Sequence, residues 1–215
     1  MSRPLKVVDL GLTEYEVAHR LQIATVEKLR AGAPNDYLFL VEHPAVYTFG
    51  RKSKEPTLII GEGKKVEVER GGEATYHNPG QLVAYPILKL EEKERDVHLY
   101  LRNLEETLIR VLKKYGLESE AVPGATGVWL SKERKKIASI GVAVRSWITF
   151  HGVALNVEND LAGFSAINPC GFSAGIMTSL KSHLGENSPS MEEVKTSFIL
   201  SFCEVFGRKR LQPEP

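Results

Sequence analysis

The chain is poor in cysteine, with Cys170 and Cys203 alone among 215 residues. Two are too few for the disulfide framework of a small secreted domain, and they lack the paired spacing of a zinc site. Charge of one sign is also missing. Twenty-eight basic and 27 acidic residues leave a formal net charge of +1, so no bulk field recruits nucleic acid. No run approaches the roughly 18 uninterrupted apolar residues of a membrane span. The opening MSRPLKVVDLGLTEYEVAH has neither the apolar centre of a signal peptide nor the acid-poor character of a transit peptide. A cytoplasmic protein with no nucleic-acid or membrane partner is expected. Internal repeats, a GxGxxG fingerprint and a P-loop are absent as well.

What remains is an ordinary globular composition, 42% hydrophobic and 26% charged, and residues 1–215 read as a single domain. LKVVDLG reads as a strand. Thr13 with Glu16 has the form of a capping box opening a helix to about Ala31, with Val17, Leu21, Ala24 and Lys28 on one face and Ala18, Thr25 and Leu29 beside it. Strands follow in DYLFLVEHP and AVYTFG around a break at Pro44, then in KKVEVER and QLVAYPILKL. VHLYLRNLEETLIRVLKKYGL is a helix with Leu101, Leu104, Leu108, Leu112 and Tyr115 in one stripe. GVWL, KIASIGVAV and WITFHGVALNV return to β, the last two separated at Arg145-Ser146 as a hairpin. A second capping box, Ser190 with Glu193, opens a final helix to about Phe206, with Val194, Phe198, Phe202 and Val205 inward. The fold class is α+β: a mixed, mostly antiparallel sheet with packed helices.

Two places carry chemistry. ERGGEATYHNPGQLVAYP gathers Gly71, Gly72 and Gly80 around an aromatic, a histidine and an Asn-Pro turn, directly before an apolar strand. That much backbone freedom exceeds the needs of a turn and allows close approach of a ligand. INPCGFSAG sets Cys170 in a loop between a proline and glycines, whereas Cys203 falls among core residues of the final helix and reads as a small apolar side chain. A working thiol needs a base or a nearby cation. His77 or His151 supplies a cysteine–histidine pair; Lys136 in KKIASIG supplies a cysteine–lysine pair. Spacing does not choose between them.

RGGEATYHNPGQLVAYP, GVW at 127–129, KIASIG at 136–141, HGVALNV at 151–157 and PCG followed by TSL at 178–180 together resemble the octanoyltransferase family of lipoate synthesis, in order and spacing. The resemblance covers roughly residues 42–180. It implies the α/β sandwich-like catalytic fold shared with biotin and lipoate protein ligases. It also implies transfer of octanoyl from octanoyl-acyl carrier protein to a lysine of lipoyl domains, those of 2-oxoacid dehydrogenases and of the glycine cleavage H protein. The family pairs its PCG cysteine with the lysine of KIAxIG, which carries over to Cys170 and Lys136. Its RGGxxTYH segment lines the acyl site, which carries over to Arg70, Gly71, Gly72, Glu73, Ala74, Thr75, Tyr76 and His77. Backbone at Ser139, Ile140, Gly141, Gly152, Val153 and Ala154 is expected to hold ligand and steady an oxyanion.

The resemblance further implies a cysteine thioester intermediate and no cofactor, neither ATP nor metal. One departure stands out. The family's usual HGPGQ is His77-Asn78-Pro79-Gly80-Gln81 here, where Asn tolerates positive φ and its side chain is expected to narrow or polarise the pocket. An ATP-dependent ligase or an octanoyl amidotransferase on the same fold are the alternative enzymes. A binding module for acylated carriers is the non-enzymatic one.

Overall fold

The computed structural model of the chain describes residues 3–53, 63–167 and 174–212. The elements in order are β1 (Pro4–Leu12), α1 (Tyr15–Arg30), β2 (Asp36–Glu42), β3 (Val46–Phe49), β4 (Lys64–Glu67), β5 (Ala74–His77) and β6 (Gln81–Ile87). Then come α2 (Val97–Lys114), β7 (Ser119–Val122), β8 (Ala125–Leu130), β9 (Lys135–Arg145), β10 (Ile148–Asn156), α3 (Leu180–Leu184), α4 (Met191–Phe206) and β11 (Lys209–Arg210). Eight strands form one sheet in the order β11-β1-β2-β6-β10-β9-β8-β7. β1 runs parallel to both of its neighbours, and every other pair is antiparallel. The expected mixed, mostly antiparallel sheet is therefore present. A second, three-stranded sheet, β4-β3-β5, was not foreseen as a separate layer.

Both faces of the large sheet are covered, which explains why QLVAYPI is buried throughout and, after Gln81, does not alternate with polar residues. On one face Leu38, Leu40, Leu82 and Leu155 pack with Leu104, Leu108 and Leu112 of α2 and with Phe198 and Phe202 of α4. On the other, Phe39, Val41, Val83 and Tyr85 meet Ala18, Val26 and Leu29 of α1. All nine residues of β10 are buried.

The boundary signals succeed where the partners are local. α4 starts at a complete capping box, with Ser190 Oγ accepting from Glu193 N–H and the Glu193 carboxylate accepting from Ser190 N–H. α1 corrects the reading. Its N-cap is Glu14, without a side-chain cap. The Thr13 hydroxyl instead donates to Leu10 O at 2.6 Å, and the Glu16 carboxylate is drawn to Lys64 Nζ at 2.6 Å. The inward face is Ala18, Gln22, Thr25, Val26 and Leu29, so Val17 and Leu21 are exposed. The hairpin between β9 and β10 turns on Ser146 and Trp147, both at positive φ, with Arg145 opposite Ile148. This is the two-residue turn whose twist matches the strands, one residue later than expected. Val205 and Tyr115 are half-buried at the rims of their helices.

Candidate active site

A cavity opens where β5 and the loop before it cross the centre of the large sheet. β9 supplies Lys136, Ser139, Ile140 and Gly141; β10 supplies Gly152, Val153 and Ala154. The glycine-rich segment supplies Arg70, Gly72, Glu73, Ala74, Thr75 and His77. Two of the expected residues do not line it. Gly71 is used in the framework, its N–H donating to Val142 O at 2.9 Å. Alternation along β5 sends Tyr76 away from His77, into an aromatic cluster with Tyr47 and Phe164, ring centroids 4.8 and 5.6 Å away. His151, one of the two histidines offered as a partner for the thiol, also lines the cavity, and Tyr15, Val83 and Tyr85 do so without having been singled out for it. Tyr15 and Tyr85 sit in segments that read as plain helix and plain core strand, so nothing local marks them.

Lys136 is 4% exposed, and its Nζ donates to Thr126 O at 2.8 Å and stands 5.5 Å from the centre of the Trp129 ring. Its stem is accommodated by Gly127. A Cβ there would lie 2.7 Å from Lys136 Cε and 2.4 Å from Ala138 O, and the residue has φ +127°, a conformation open to glycine. GVW is thus the seat of the lysine. Cys170 lies outside the described residues. Its flanks are nevertheless placed: Phe164, Ala166 and Ile167 before it and Met177 after it pack in one cluster with Tyr47, Ala74 and Tyr76. Met177 forms a parallel bridge with Lys136, and Thr178 N–H donates to Lys136 O at 3.0 Å. Cys203 sits half-buried on α4 against the main core, and burial pushes its thiol up.

Arg70 shapes the loop. Its guanidinium donates to Gly71 O and Glu73 O at 3.1 and 2.7 Å, and to Thr48 O and Oγ1 at 2.7 and 3.0 Å. It ties the loop to β3 while lining the cavity. The β10 expectation needs adjustment. Val153 and Ala154 pair with β6 on one side and β9 on the other, so their amides serve the ladder. β9 differs, because β8 pairs with it only as far as Ala138, and Gly71 next takes the Val142 carbonyl. Residues 139–141 between them run along the cavity with a paired strand on one side.

Asn78 has no positive φ and does not line the cavity. Its side-chain amide donates to Asp160 O at 2.9 Å and accepts from Asn159 Nδ2 at 3.0 Å. The expected narrowing of the pocket by this side chain is corrected: Asn78 fastens the turn to the loop after β10, and Gly80 takes the positive φ.

The inner wall is a packed group of rings. His77 Nδ1 bonds Gln81 Oε1 at 2.7 Å, and His43 bonds Thr13 O through Nδ1 at 2.6 Å and the Tyr85 hydroxyl through Nε2 at 2.8 Å. Burial, the largest cause, lowers His77 to about 3 and His43 to about 4. Both rings are neutral in the native protein, with Nδ1–H donating, but take up protons near pH 6.5 once unfolded. Their contribution is complete above that value. As pH falls toward 4, the unfolded chain binds protons that the native chain refuses, and stability drops by up to about 1.4 kcal/mol per pH unit for each ring. Urea midpoints measured from neutral pH downward should show this loss, with a shallower slope for His43→Gln. Equal slopes would mean that native His43 takes up its proton as readily as the unfolded chain does.

The lipoyl protein ligase A/B catalytic domain model matches residues 14–203. An octanoyltransferase of Nostoc punctiforme is 45% identical over 95% of this chain and 90% of its own. One of Geobacter sulfurreducens is 46% identical over 93% of this chain and 83% of its own. Among solved structures, lipoate-protein ligase A bound with ATP superposes with a TM-score of 0.76 at 18% identity, covering 99% of this chain and 89% of that one. The biotin protein ligase of Aquifex aeolicus gives 0.53 at 13%, over 96% of this chain and 70% of that one. These two likenesses establish the ligase fold, and the curated relatives establish the branch. The chain belongs to the octanoyltransferases of the lipoyl protein ligase A/B catalytic-domain family.

Proposed function

We propose that this cavity moves octanoyl from octanoyl-acyl carrier protein to a lipoyl-domain lysine in two steps, through a thioester on Cys170. Membership of the family supplies the overall reaction, octanoyl transfer in lipoate synthesis between an acyl donor and a lipoyl-domain acceptor. The observation that carries the covalent route is Lys136. A buried amine lines the cavity, and its own backbone pairs with Met177, seven residues after Cys170.

In the first step the Cys170 thiolate attacks the donor carbonyl. A new C–S bond forms, the bond to the carrier's pantetheine sulfur breaks, and that sulfur leaves and is protonated. In the second, the acceptor lysine amine attacks the enzyme thioester; the C–N bond forms, the C–S bond breaks, and the amine's proton passes to the departing side through Lys136. Protonated, Lys136 favours the thiolate; neutral, it accepts the proton, so the pair titrates as a unit. Thioester to amide is downhill, and neither ATP nor a metal enters these steps. The outward-turned backbone of residues 139–141 offers a donor to the carbonyl oxygen as charge develops there. The octanoyl tail lies along Val83, Val153 and Ala154, where each buried methylene contributes about 0.8 kcal/mol. The acceptors are lipoyl domains of 2-oxoacid dehydrogenases and the glycine cleavage H protein, and the sparse use of cysteine suits work in a reducing cytoplasm.

Intact-protein mass after mixing with octanoyl-acyl carrier protein tests the route. One octanoyl adduct is expected on the parent and on Cys203→Ala, none on Cys170→Ala, and a lipoyl domain should discharge it. Modification of the acceptor only with free acid and ATP would move the chain to the ligase reading.

A further inference from the structure

His151 belongs to a second group of side chains. His19 on α1, Glu69 in the loop after β4 and His151 on β10 each bring one ligand-type atom within 4.8 Å of the other two. Glu69 Oε2 is 3.3 Å from His19 Nε2 and 3.7 Å from His151 Nε2. With metal–nitrogen and metal–oxygen bonds of about 2.0–2.1 Å, the ligands of a tetrahedral site stand about 3.3–3.4 Å apart. These separations approach that value with no backbone movement.

Two further observations point to a ligand. Both Nε2 atoms are shut off from solvent without a hydrogen bond of acceptable geometry, an arrangement that costs free energy unless something else engages them. His151 is also built into a fixed pose, at φ +56° inside a strand, with its N–H donating to Gln22 Oε1 at 2.7 Å. Its Nδ1 faces the Tyr15 hydroxyl at 3.4 Å, the kind of outer partner that fixes the tautomer of a metal-bound imidazole and leaves Nε2 to coordinate. The His19 and His151 rings lie nearly parallel, 12° apart with centroids 5.4 Å apart. Parallel rings do not aim their in-plane lone pairs at one point, so shared coordination requires the His19 ring to turn. His19 and Glu69 are 25% and 27% exposed at the side chain, so this edge has room to adjust and admits an ion from solvent.

We propose that His19, Glu69 and His151 form a binding site for one late first-row divalent cation of the zinc type, with water as the fourth ligand. Two imidazoles and one carboxylate suit such an ion, and calcium or magnesium would want more oxygen. The acyl-transfer steps proposed above use no cation. Neither His19 nor Glu69 lines the cavity, and the two sites meet at the His151 ring and its outer partner Tyr15.

Untagged protein titrated with cobalt(II) tests this directly. The parent should bind one ion, with the strong visible ligand-field absorption of a four-coordinate site, and equimolar zinc should bleach it. His19→Gln and Glu69→Gln should each weaken binding by about tenfold or more, while His98→Gln, on an exposed ring, leaves it unchanged. Circular dichroism of each variant checks that the fold is kept. Absence of the absorption, equal binding by His19→Gln and Glu69→Gln to that of the parent, or a loss in His98→Gln as large as theirs would each overturn the assignment.

Discussion

Lys136→Met is expected to keep the fold and to acylate Cys170 about 10²–10⁴-fold more slowly at neutral pH. Methionine is unbranched and close in size, so the space beside Gly127 stays filled and Trp129 keeps its contact. What disappears is the amine, whose Nζ now bonds Thr126 O at 2.8 Å. Without a cation the thiol ionises nearer the ordinary value of about 8.5, so the rate of adduct formation should recover as pH rises. A merely structural lysine would give a lower rate at every pH and no such recovery. Lys136→Met combined with Cys170→Ala should be no worse than Cys170→Ala alone, because groups that act as a unit do not lose activity independently. Parent-like acylation by Lys136→Met at neutral pH would remove this residue from the mechanism.

Gly127→Ala should damage the same function from a neighbouring strand. Its Cβ would come within 2.4 Å of Ala138 O and 2.7 Å of Lys136 Cε. The two neighbours differ in how they can respond. Ala138 is paired with Val128 in the β8–β9 ladder, so its carbonyl moves only if the sheet opens. The lysine stem moves more easily and is pushed from its seat. Together with the positive φ, a loss of about 2–4 kcal/mol is expected, along with slow adduct formation. Gly124→Ala is the comparison, since that glycine is also at positive φ, +80°, but has nothing within 4 Å of an added Cβ. It should cost about 1 kcal/mol and leave acylation intact. Thermal melts and the adduct mass separate the two; equal effects from both would show that backbone strain, rather than the lysine's seat, is at stake.

Legibility followed the range of the interactions involved. Ser190 and Glu193 announced α4 because a capping box is closed within four residues. Thr13 and Glu16 have the same spacing, yet Lys64 lies nearer in space to Glu16 and takes its carboxylate. Gln22 could not be read as inward, because its reason for burial is the amide of His151, 129 residues away. The pocket loop was visible through its glycines and histidine, whose local peculiarity survives without knowledge of the fold. Tyr15 and Tyr85 were not, being ordinary residues until α1 and β6 are laid against each other. Asn78 was legible as a departure but not in its effect, since its partners Asn159 and Asp160 arrive from beyond β10.

Asp36 opens β2 with no exposed surface, and its carboxylate accepts from Arg3 Nε, Arg208 Nε and Lys89 N–H at 2.9, 3.0 and 3.1 Å. Arg208 is in turn held by Glu94. During synthesis, β1, β2 and β6 leave the ribosome long before residue 208, which stands 172 positions after Asp36. Until then Arg3 and the Lys89 amide share one carboxylate oxygen while the other has no guanidinium, and sealing it into the sheet is unfavourable. Late-forming contacts of such sequence separation slow the approach to the native state. The second oxygen of Asp36 is therefore satisfied only by a residue that follows the last helix, so the edge of the large sheet is completed by both ends of the chain.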